Sequence, residues 1–150
     1  MSADYEAWMV ACADIEKLIK SKKKSVKVQF EDTDSAPPQI DQNVIRFNGV
    51  RENGHETFIV RRVPHEGRPE WQGLLNDRWF DFCKTARKPY DILVCASLLV
   101  LKAHLGDWLE LSSDGTWDEW KPARALCKRV LFFEEGDFAS AMADINKVET

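Results

Sequence analysis

Apolar residues recur at Tyr5, Trp8, Cys12, Ile15 and Ile19, alternately three and four positions apart, which marks one face of a helix. Met9 and Leu18 widen that face, and Ser2 stands where an N-cap is expected. The helix closes on Lys20-Ser21-Lys22-Lys23-Lys24, cations that complement the negative end of the helix dipole. A phosphate-facing patch is the functional alternative for the same run. Val26, Val28 and Phe30 alternate with Lys27 and Gln29, the pattern of a half-buried strand. Asp32 to Gln42, acidic and holding Pro37-Pro38, reads as a loop. Val44 to Val50 and Glu56 to Val63 read as two strands around Arg51-Glu52-Asn53-Gly54-His55. Asn53-Gly54 is a hairpin signal because both residue types tolerate positive φ.

The second half reads mostly as helix. Trp71, Leu74, Leu75, Trp79, Phe82, Cys83 and Ala86 predict an amphipathic helix from about Glu70 to Ala86. From Ile92 to Leu101 no residue is charged, and only Ser97 is distinctly polar, so this element is buried on nearly all sides. Asp91 as a cap, Tyr90 and Cys95 as a hydrophobic staple, and Gly106 as a stop make it a helix at about 91–105. Ser97 is expected to satisfy its hydroxyl on the carbonyl of the preceding turn. Trp108 to Ser112 alternates as a short strand. Thr116-Trp117-Asp118-Glu119 has the form of a capping box and opens a helix running to about Phe132. Asp137 caps a last helix with Phe138, Met142, Ile145 and Val148 on its apolar stripe. The order α-β-β-β-α-α-β-α-α predicts one α+β domain over residues 1–150. It has an antiparallel three- to four-stranded sheet, helices packed on one face, and a central buried helix.

With 150 residues, 44% hydrophobic and 31% charged, the chain reads as globular and ordered. The net charge of −4 is concentrated in the last fifty residues, which hold 10 acidic and 6 basic side chains. That balance argues against a protein that coats DNA. Cys12, Cys83, Cys95 and Cys127 form no C-x-x-C pair and fall at apolar helical positions, as reduced core thiols do. No leader-like or membrane-spanning run is present in the sequence, so a soluble, cytoplasmic protein that does not contact membranes is expected.

The chemistry-bearing residues are sparse. His55, His65 and His104 belong to no H-x-x-x-H or H-E-x-x-H pattern, and neither a metal site nor a cofactor is expected. His55, His65 and Glu66 could act together only if two loops converge, which keeps a hydrolase as a minor alternative. No nucleophile elbow, P-loop or dinucleotide fingerprint occurs. Ser112-Ser113-Asp114 reads as turn chemistry.

Two constellations remain. In the segment Arg61–Trp71, Arg62, His65, Arg68 and Trp71 are candidate ligand-binding residues, with guanidinium forks for phosphate and an indole for stacking. Trp117 and Trp120, flanked by Asp118 and Glu119, are a candidate surface for a basic protein partner. The sequence thus points first to a small non-enzymatic protein-binding, adaptor or inhibitor-type module, with self-association included. A phosphate- or nucleic-acid-binding protein is the runner-up.

Overall fold

The computed structural model describes residues 2–63, 73–75, 78–81, 87–113 and 115–146, with 73–75 and 78–81 described as backbone only. Helix α1 (Tyr5–Lys22) starts two residues later than the sequence suggests. Asp4, not Ser2, is its N-cap, accepting from the Ala7 N–H at 2.9 Å. Its buried face is Trp8, Ala11, Cys12, Ile15 and Leu18, while Tyr5, at the very start of the helix, points outward. Strands β1 (Val28–Gln29), β2 (Gln39–Ile40), β3 (Val44–Gly49) and β4 (Phe58–Arg61) form an antiparallel sheet centred on β3. β3 pairs with β4 from Val44↔Arg61 to Phe47↔Phe58, with β2 at Arg46 and Ile45, and with β1 at Asn48 and Gly49. The stretch expected to be a loop therefore donates a strand, β2. Asp41 turns the chain from β2 into β3, its carboxylate accepting from the N–H groups of Asn43 and Val44.

The β3–β4 hairpin forms where expected, with different turn chemistry. Arg51–Asn53 is a 3-10 turn, Arg51 carries the positive φ of 50°, and Gly54 has φ −105°. The glycines here answer to close approach and not to handedness. A Cβ on Gly49 would lie 2.2 Å from the Asn53 carbonyl oxygen, and one on Gly54 would lie 2.6 Å from Asn48 Oδ1. Asn48, itself buried, ties the turn together by accepting from the Gly49 and His55 N–H groups and donating to the His55 carbonyl. Gly49→Ala is expected to cost about 1–3 kcal/mol through backbone displacement, read as a lower urea midpoint at unchanged slope.

Within the helix expected over Glu70–Ala86, the described residues form two strands, β5 (Gly73–Leu75) and β6 (Arg78–Asp81), paired antiparallel, and the rest of that span lies outside the described residues. The apolar spacing fits a helical period, but it also splits into two short strings on either side of Asn76-Asp77. Strings this short are ambiguous by periodicity alone, and Asn and Asp are turn formers. The register runs from Gly73↔Phe80 to Leu75↔Arg78, and positions 76 and 77 lie outside the described residues. β6 then pairs in parallel with β7 (Leu109–Leu111), from Trp79↔Leu109 to Asp81↔Leu111. Parallel neighbours need a long crossover, and the crossover is the central helix α2 (Asp91–Leu105).

That position explains why α2 has no polar face. It packs on α1, β7, α3 (Lys121–Leu131) and α4 (Ala139–Ile145), and nine of its residues are buried. Tyr90, not Asp91, is its N-cap; the buried phenol donates to the Glu56 carbonyl at 2.6 Å and pins the helix start to the hairpin. Gly106 ends it at φ 55° as expected. Ser97 departs from expectation: its buried hydroxyl has no hydrogen-bond partner among the described residues. The Thr116–Glu119 capping box is present, but it opens a 3-10 turn (Trp117–Trp120) that leads into α3 with Pro122 in its first turn. The chain is thus a mixed α+β fold whose two sheets and helices share one continuous core. Among the described residues no helix is long and apolar enough to cross a membrane.

Candidate functional site

The side chains that could carry chemistry are largely engaged in holding the fold. Lys102, on α2, is 2% exposed, donates to the Leu109 carbonyl at 2.6 Å and pairs with Asp144 at 2.8 Å. Asp144 also accepts from the Leu111 N–H, so the pair clamps α2, β7 and α4 together. His104 lies 2.8 Å from Asp14 and edge-on to Phe133, joining α2 to α1. Burial pushes the Cys12 thiol up to about 12, with Glu16 and Asp41 adding to the effect. Burial and Asp14 do the same for Cys127, also to about 12. Both are neutral thiols at physiological pH and poor nucleophiles. N-ethylmaleimide at neutral pH is therefore expected to leave Cys12 and Cys127 unmodified in the folded protein and to label them in urea, as peptide mass mapping would show. Among the described residues no three His, Cys, Asp or Glu side chains lie close enough to share a metal ion.

Of the Arg61–Trp71 candidates, only Arg62 is described; His65, Arg68 and Trp71 lie outside the described residues, as does Glu66. The Arg62 guanidinium donates to the carbonyls of Gln42 and Ala3 and sits 5.4 Å from the centre of the Tyr5 ring. It fastens the chain's first residues to the end of β4, where the Ala3 N–H meets the Arg62 carbonyl. His55 is exposed beside the hairpin turn.

The tryptophan candidates are also drawn into local packing. Trp120 is buried at 5% exposure, and half-buried Trp117 lies between Trp120 and the Arg124 guanidinium. Glu119 accepts from the Thr116 N–H in the capping box and pairs with Arg87. Asp118 remains as an exposed carboxylate.

One shallow, open groove is also present among the described residues. Where α1 runs into β1, a groove of about 340 Å3 opens with Ile19, Val26, Val28, Pro37 and Val50 as its apolar wall. Lys23 and Lys27, with Gln29 and Ser35, complete its lining. Lys17, Lys20, Lys22 and Lys24 extend the positive charge along the same end of α1. Among the described residues none of these six lysines pairs with a carboxylate. Unneutralised ammonium groups beside apolar wall suit a ligand with a negative head and an apolar body. The lysine run was visible in the sequence as a helix terminus. The groove was not, because it joins residues from α1, β1, the β1–β2 connection and the end of β3.

A second exposed feature lies at the end of α3. Phe132 is 85% exposed and caps the helix in the left-handed conformation, φ 60° and ψ 29°. A bulky side chain there is strained, and glycine is the residue that this C-terminal position favours. The strain costs roughly 1–2 kcal/mol, and the ring, 85% exposed, gains little from the described residues. Phe132→Gly is expected to raise stability by about 0.5–1 kcal/mol after the entropy loss of glycine, measured by thermal or urea unfolding of dilute protein. Compared with models of protein families, with curated proteins and with solved structures, the chain matches none of them.

Proposed function

We propose that this protein is a non-catalytic binding module that receives an anionic, apolar-bodied protein segment in the groove between the end of α1 and β1. One observation carries the reading: Lys23 and Lys27, without a carboxylate partner among the described residues, line an apolar groove, and Lys17, Lys20, Lys22 and Lys24 add positive charge at the same end of α1. A folded protein loses stability by crowding like charges on one face, so an opposite charge brought by a partner is favourable. The apolar wall favours a peptide over a bare phosphate backbone, because apolar burial adds affinity that a polyanion cannot use. The neutral, buried Cys12 and Cys127, and the clamp roles of Lys102 and Arg62, agree with a binding role. The free thiols at Cys12 and Cys127 fit a reducing, cytoplasmic setting.

The test is a fluorescence-anisotropy titration with two labelled probes, a peptide of alternating Glu and Leu and a single-stranded oligothymidylate. The peptide is expected to bind more tightly, to weaken as salt rises, and to lose binding in the Lys23→Glu/Lys27→Glu variant. Tighter oligonucleotide binding would move the assignment to nucleic acid. Peptide binding that the double variant leaves unchanged, or no binding of either probe, would overturn it.

A further inference from the structure

The groove and the strained aromatic cap carry opposite charges, and each exposes apolar surface. Phe132 offers an uncovered ring, and Glu134, Glu135 and Asp137 follow it on a tight 3-10 turn (Glu135–Phe138). That turn is pre-organised: the Glu134 N–H donates to Asp137 Oδ2 at 2.8 Å, and the Glu134 side chain caps the turn in return. Glu135 already pairs with Lys128 on its own chain, so this stretch meets an ammonium group in the monomer. Each carboxylate keeps lone pairs for a second donor. A ring presented in a strained conformation and left in water is the kind of backbone outlier that goes with recognition.

We infer that the groove lined by Lys23 and Lys27 on one copy receives the Phe132–Asp137 turn of a second copy, so that the protein self-associates through two unlike surfaces. Resting on the binding reading above, the inference names the occupant of that same groove. The ring fills the apolar wall formed by Ile19, Val26, Val28 and Val50, and the acidic turn meets the lysine rim. With one aromatic anchor and exposed charges the contact belongs to the weak, transient class, and its strength falls as salt rises. An unlike pair of surfaces either closes into a ring or continues into a chain of copies, depending on the rotation between them.

Sedimentation velocity across a concentration series, at low and high salt, tests this. The natural protein is expected to gain mass with concentration at low salt and to lose the effect at high salt. Phe132→Gly, expected to fold at least as stably, and Lys23→Glu/Lys27→Glu, which alters only exposed side chains, should each weaken association roughly tenfold or more. An equimolar mixture of the two variants should associate, because each retains the half that the other lacks. A protein that stays monomeric throughout, or whose association survives either change, overturns the inference. The labelled peptide separates this failure from failure of the groove itself. If the peptide binds and no self-association is seen, the groove reading stands and its occupant comes from another protein.

Discussion

Lys102→Met is expected to lower stability by about 3–5 kcal/mol, because it leaves the largely buried Asp144 without its counter-charge and the buried Leu109 carbonyl without the ammonium. The loss does not measure the worth of the ion pair. It measures the penalty of a carboxylate held at 16% exposure, together with a Leu109 carbonyl that has lost its donor. The double variant Lys102→Met/Asp144→Asn separates these terms. Asparagine carries no charge and keeps an oxygen for the Leu111 N–H. The double variant should therefore recover about 1–3 kcal/mol relative to the sum of the single changes. Urea unfolding of all four proteins gives the coupling directly. A Lys102→Met protein within experimental error of the natural one would mean that the clamp on α2, β7 and α4 does not hold.

The second large effect is expected at Trp8. Its side chain is fully buried, meets Trp108 edge-on at 6.3 Å, and donates from Nε1 to the Asp41 carbonyl at 2.8 Å. Trp8→Ala removes that hydrogen bond and opens a cavity where α1 meets the β2–β3 turn, at a cost of about 3–5 kcal/mol. Trp8→Phe keeps most of the volume and leaves the Asp41 carbonyl short of a donor, at about 1–2 kcal/mol. The two variants should differ in urea midpoint with the same slope. A larger loss for Trp8→Phe than for Trp8→Ala would contradict the cavity argument.

The legible parts of the fold are those where one periodic signal points one way. Ile92 to Leu101 carries no charge, and the helix it announced is the crossover on which α1, α3, α4 and β7 pack. Asn53-Gly54 announced a hairpin, although the glycine answers to crowding by Asn48 and Gly49. The failures have physical causes too. Leu74, Leu75 and Trp79 fit a helix and a pair of short strands equally well, and pairing with β7, distant in sequence, accompanies the strand outcome. The partners of Lys102 are not local in helical spacing, and only the fold brings Asp144 and the Leu109 carbonyl to it. Trp117 and Trp120 share one face as their spacing implies, with Trp120 buried and Trp117 half-buried beside the Arg124 guanidinium. The groove joins segments on either side of β2, so no local window contains it.

Heteronuclear NMR of isotope-labelled protein, titrated with the unlabelled Glu-Leu peptide, tests the central claim most directly. Amide shifts are expected to concentrate on Ile19, Lys23, Val26 to Gln29, Ser35 and Val50, and to diminish with added salt. Shifts centred on Trp117 to Arg124, or spread evenly over the surface, would contradict it.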